Sequence, residues 1–132
     1  MKRAIVAGPI AGFVSGVVDL IFSISGLFGM FSVFPAFFPV DTQTLAINFI
    51  TVGVIWGSIW GILYALFYEH IPAKGIKKGI VYGLIIWLIA PLNNWTTSAA
   101  FGYYLWAIPY AVTSFFSICI TYGILIGYLY KK

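Results

Sequence analysis

The chain has 132 residues, of which 62 % are apolar and 8 % charged, with a net charge of +4 and a mean hydropathy of +1.04. A soluble globular domain is about a quarter charged, and a disordered chain is poor in apolar residues, so both classes are excluded. Nucleic-acid binding is not expected either. The seven basic residues form three short clusters between apolar stretches, whereas a nucleic-acid face spreads them among polar residues.

Crossing about 30 Å of hydrocarbon takes about 20 apolar residues in a helix, and four runs approach that length, at about 4–27, 45–67, 76–93 and 104–130. None alternates in polarity as a barrel strand does, and a spanning backbone that is not a closed barrel is helical. The predicted fold is therefore all-α: one integral membrane four-helix bundle covering residues 1–132.

The first run follows Lys2 and Arg3 and carries Gly8, Gly12 and Gly16 at four-residue spacing, with Ser15, Asp19 and Ser23 forming a polar stripe. It is longer than a signal-peptide core and lacks a small-x-small cleavage site, so it is read as a retained span. The connection at 31–40 is apolar with two prolines; it is expected along the outer interface or as a lid over a pocket. The second run holds Asn48, Thr51 and Ser58, then Gly53, Gly57 and Gly61, and ends at Glu69 and His70, read as a solvated helix end. Lys74, Lys77 and Lys78 lead into the third run, which opens with Gly75, Gly79 and Gly83 and closes on Pro91, Asn93 and Asn94. With Thr96, Thr97 and Ser98 these make the most polar patch outside the basic loops, the place for a vestibule. The fourth run contains Pro109, Thr113, Ser114, Ser117 and the single cysteine, Cys119, and ends with Gly123 and Gly127 before Lys131 and Lys132.

With four spans, every Lys and Arg falls on one side. Positive charge in short loops stays in the cytoplasm, so both termini are expected inside. Tyr64, Tyr68, Tyr128 and Tyr130 then mark the inner boundary, and Trp95, Tyr103, Tyr104 and Trp106 the outer one, as amphipathic rings do.

Small residues four apart share a helix face and let backbones approach closely in lipid, where no hydrophobic force draws helices together. The glycine ladders are therefore expected to pack the bundle, with a leftover face available to a second copy or to other membrane subunits. Gly8, Gly12 and Gly16 match Gly75, Gly79 and Gly83, and Gly61 with Tyr68 matches Gly123 with Tyr130. These matches point to two repeated helical hairpins in parallel orientation.

Asp19 is the most informative residue. Fifteen residues beyond Ala4, it lies about 20 Å into the bilayer at 1.5 Å per residue, where a carboxylate is costly and turns toward the bundle interior. No cation of its own chain is expected at that depth. Asp19 is therefore expected either to be neutral and donate a hydrogen bond, or to face water or a bound cation. Its expected partners are Thr113, Ser114 and Ser117 on the fourth run and Asn93 and Asn94 at the end of the third. Ser15, Asp19, Ser23, Asn93, Asn94 and Ser117 form the candidate binding set.

No catalytic constellation appears: there is one His and one Cys, with no HExxH, G-x-S-x-G or P-loop. No metal site and no cofactor are expected, and one cysteine excludes an intramolecular disulfide. The Met-Lys-Arg start, the stepped glycines and the 79–87 segment after a short basic loop resemble uncharacterised small multi-pass membrane proteins of prokaryotes. The resemblance implies a four-helix inner-membrane unit and assigns no activity. Three readings stay open. The first is a non-enzymatic structural or accessory subunit in a homo- or hetero-oligomeric assembly. The second is a small oligomeric transporter or channel using Asp19, and the third a quinone- or lipid-binding protein.

Overall fold

The structure, a computed structural model, describes residues 2–25, 42–90 and 111–130. Its helices are α1 (Lys2–Ser25), α2 (Thr42–Phe67) with a 3-10 turn at Tyr68–His70, α3 (Gly75–Ile89) and α4 (Ala111–Leu129). No strand occurs among the described residues. Three of the four helices contain a stretch long and apolar enough to cross a membrane: Lys2–Phe22, Ala46–His70 and Ala111–Leu129. The described part of α3 has 15 residues, about 22 Å of helix at 1.5 Å per residue; its expected continuation to 93 lies outside the described residues, as do 31–40 and the two outer prolines, Pro91 and Pro109. The outer rings Trp95, Tyr103, Tyr104 and Trp106 lie there too. The exterior is apolar, with Ile5, Val6, Ile21, Ile55, Leu66 and Ile89 all more than half exposed.

Two glycine seams organise the packing. In the first, α1 lies antiparallel on α2: a methyl group placed on Gly8 would be 2.6 Å from the Gly57 carbonyl oxygen, and one on Gly12 would strike the carbonyl of Gly53. Gly16 completes the seam against Phe49 and Ile50. In the second, α3 lies on α4: a methyl group on Gly79 would strike the Gly123 carbonyl and approach the Gly127 Cα to 2.7 Å, while Gly83 faces Cys119. Contact this close brings Cα–H groups against carbonyl oxygens, which adds about 0.5–1 kcal/mol per contact.

The contact register aligns Gly8 with Gly79 and Gly57 with Gly123, one helical turn away from the sequence match of Gly8 with Gly75. Gly75 itself meets nothing within 4 Å of where its Cβ would sit, and its φ is +55°. Its glycine therefore serves the left-handed backbone of the turn into α3, not the close approach of helices expected of it.

α1 also packs on α4, so the lateral order is α2–α1–α4–α3, and α2 and α3 do not pack backbone against backbone. The start of α1 lies beside the end of α2, since the Ala4 carbonyl approaches Gly61, and beside Leu129 of α4; the start of α3 lies beside Gly127. Lys2, Arg3, Lys74, Lys77 and Lys78 thus gather at one end. There Lys78 folds back over the Tyr68 ring, 4.0 Å from its centroid, and donates to the Tyr68 carbonyl at 2.6 Å. Tyr64, at the centre, contacts the rings of Tyr68, Tyr82 and Tyr130 with centroids 4.9–5.5 Å apart. Its hydroxyl is buried without a hydrogen-bond partner among the described residues.

Candidate functional site

At the level of Asp19, α4 is no longer an α-helix. Phe115–Tyr122 winds as a π-helix, in which the Gly123 N–H reaches the Ile118 carbonyl and the Thr121 hydroxyl donates to the Phe116 carbonyl at 3.1 Å. Wider turns of this kind concentrate at functional sites. Here the π-helix carries Ser117, whose side chain is hydrogen-bonded to the Asp19 carboxyl. One turn earlier on α1, the Ser15 hydroxyl donates to the Ser117 carbonyl at 3.1 Å. Ser117 thus meets α1 twice, once through its side chain and once through its backbone. A tilted ring pair, Phe22 and Phe116 with centroids 5.9 Å apart, closes the same interface one turn further on.

Asp19 lines a cavity of about 350 Å³ that receives residues from all four helices. The seam at Gly12, Gly53 and Gly57 borders it, and Ile86, Ala90 and Ile118 form an apolar side. Phe49, Trp56, Trp60 and Tyr122 supply the aromatic wall. Trp56 and Trp60 are one turn apart on α2 and stack, with centroids 6.1 Å apart and planes at 25°. Among the lining residues Asp19 carries the only carboxyl or basic group, and Ser15 the only aliphatic hydroxyl. Val52 and Trp56 are 51 % and 52 % exposed, so the mouth opens on the flank of α2.

The wall is held by hydrogen bonds to backbone. The Tyr122 hydroxyl donates to the Gly57 carbonyl at 2.9 Å, and the Tyr82 hydroxyl to the Trp60 carbonyl at 2.7 Å. A helical side chain covers the turn before it; Gly61, which has none, leaves the Gly57 carbonyl open to Tyr122. Trp87 ties α3 to α4 by sharing its indole N–H between the Ala111 carbonyl and the Ser114 hydroxyl, each at 3.2 Å.

Of the candidate binding residues, the structure brings Asp19, Ser15 and Ser117 together. Ser23 continues α1, with its side chain outside the described set, and Asn93 and Asn94 lie outside the described residues. Thr113 is buried with no partner for its hydroxyl among the described residues, and Ser114 serves Trp87. Ser58 donates to the Val54 carbonyl of its own helix at 2.7 Å, while Asn48 and Thr51 are exposed. Glu69 and His70 are exposed at the end of α2. Among the described residues no group of three His, Cys, Asp or Glu side chains could hold a metal ion.

The aromatic wall was absent from the sequence expectations. Its signal was the four-residue spacing of Trp56 and Trp60, in step with a glycine face offset by about one position from Gly53 and Gly57. No protein-family model matches the chain, and no curated protein or solved structure matches it.

Proposed function

We propose that this chain is a four-span inner-membrane protein, with both termini in the cytoplasm, that binds a small solute at Asp19 for movement across the membrane. The observation that carries the reading is the cavity of about 350 Å³ reached by all four helices, with Asp19 as its one acid. Pockets that hold small ligands have volumes of about 300–1,000 Å³ and a few polar groups set in an apolar lining. An ionisable side chain at membrane depth ordinarily serves a proton, ion or substrate path.

Three further features support it. The described basic residues gather at the end remote from Asp19, which fits retention of that end in the cytoplasm. The exterior is apolar along all four helices. Gly-to-Gly seams give a bundle rigid enough to hold an acid beside an open space. A purely accessory role, which the scarcity of chemistry favours at first, requires no cavity at the acid. In this reading Ser117 holds the empty carboxyl through its hydroxyl, and an arriving solute or proton takes over that contact.

Labelling of the purified protein in phosphatidylcholine liposomes with dicyclohexylcarbodiimide, an apolar carboxyl reagent, provides the test. Peptide mass spectrometry should place the adduct on Asp19 ahead of Glu69, and Asp19→Asn should remove it while leaving helicity unchanged. A carboxyl at Asp19 that stays unlabelled while the reagent modifies Glu69 refutes the proposal.

A further inference from the structure

We infer that the solute is a lipophilic organic cation, and that it enters sideways between α2 and α3. The inference rests on the reading of Asp19 as a ligand site and adds the class of ligand and its route.

The lining selects against a bare metal ion. Hard cations take about six to eight oxygen ligands at short range, and the described side chains at this cavity offer one carboxyl, the hydroxyls of Ser15 and Ser117, and the phenol of Tyr122, itself engaged with the Gly57 carbonyl. A quaternary ammonium or phosphonium group has no such demand. It is weakly hydrated, and indole and phenol faces attract it through their quadrupoles. Trp56, Trp60 and Tyr122 line the cavity with Asp19, the one carboxyl among its described lining residues.

The body of the ligand has a place as well. A second cavity, of about 310 Å³, lies along the crevice between α2 and α3, with Leu63 and Phe67 on one side and Ile85 and Ile89 on the other. Trp60 and Ile86 line both cavities, so the two are neighbours across a pair of side chains. Because α2 and α3 stand at the two ends of the lateral order and do not pack backbone to backbone, the crevice lies along the bundle's flank. A cationic head at Asp19 with an apolar chain in the crevice satisfies both spaces at once.

Equilibrium dialysis with the protein in phosphatidylcholine nanodiscs tests this, using tetraphenylphosphonium and tetraphenylborate, which share a shape and differ in sign. The phosphonium should bind saturably and the borate should not. Asp19→Asn should weaken phosphonium binding about thirtyfold, and Trp56→Ala about fivefold, with Trp56→Phe recovering most of it. Ile85→Trp, which narrows the crevice at a partly exposed position, should weaken decyltriphenylphosphonium about fivefold while sparing the methyl homologue.

Equal binding of the two ions, or indifference to Asp19→Asn, overturns the ligand class. Indifference of the decyl compound to Ile85→Trp overturns the route. If carbodiimide labels Asp19 while no phosphonium binds, the organic-cation inference fails and the site at Asp19 stands. If the carbodiimide does not reach Asp19, both fall together.

Discussion

The two hairpins are built on one plan and differ at the same level. In α1–α2 the seam is glycine against glycine along Gly8, Gly12, Gly53, Gly57 and Gly61, and both helices stay regular. In α3–α4 the seam is equally tight at Gly79, Gly123 and Gly127, but Cys119 stands opposite Gly83, with its thiol directed at the Ile80 carbonyl at 3.8 Å. Cys119 sits within the π-helical stretch Phe115–Tyr122 of α4. The first hairpin therefore works as a fixed wall that carries the acid, and the second gives up regular geometry to present Ser117 to it. What is preserved is the close approach at the charged end; what is altered is the half that reaches Asp19.

The largest break in this comparison should come from Gly12→Val. Its added atoms would meet the Gly53 carbonyl and the Gly57 Cα, which are backbone and cannot move aside. The cost should be about 3 kcal/mol or more, at the upper end of overpacking penalties, measured by reversible unfolding in mixed micelles. Gly79→Val should cost as much, since Gly79 meets the Gly123 carbonyl and the Gly127 Cα. A much smaller loss there would show the second seam to be the more yielding one.

The turn joining the hairpins should give a pair of effects of opposite sign. Gly75→Ala places a Cβ on a left-handed residue with open space around it, so only backbone strain is added, about 1–2 kcal/mol. Ala73 has φ of +86° and already bears that strain. Ala73→Gly should stabilise by about 1 kcal/mol in the same assay.

Between the hairpins, Tyr122→Phe removes the bond to the Gly57 carbonyl and should cost about 1 kcal/mol, within the range for single hydrogen bonds in membrane proteins. The smallest effect should be that of Ser15→Ala, about 0.6 kcal/mol, from loss of the bond to the Ser117 carbonyl. Both variants are read by the same reversible unfolding in mixed micelles.

The helical class was legible because uninterrupted apolar runs admit one backbone solution in lipid, and the glycine faces because their spacing matches the helix period. Asp19 was legible as well: a carboxyl among such residues is conspicuous wherever it falls. Which glycine face meets which was not, since Gly8, Gly53, Gly79 and Gly123 present the same absence of side chain to any partner. The role of Gly75 was hidden for the same reason, because a glycine demanded by φ and one demanded by a neighbour look alike. The π-helix left no trace either. Phe115–Tyr122 has an ordinary apolar pattern, and nothing in it marks the wider winding. The choice of Ser117 over Thr113 and Ser114 depended on that winding.

The glycine seams join helices that are neighbours in the chain, while the contacts around Asp19 join residues far apart: Ser15 to Ser117 spans 102 positions and Tyr122 to Gly57 spans 65. Long closures are slow to form and follow local ones. During synthesis the first pair of helices can zip before the last has left the ribosome, and the acid waits for α4 to arrive. The pocket is then the final piece to assemble, so a molecule that binds there only in the folded state should also stabilise the fold.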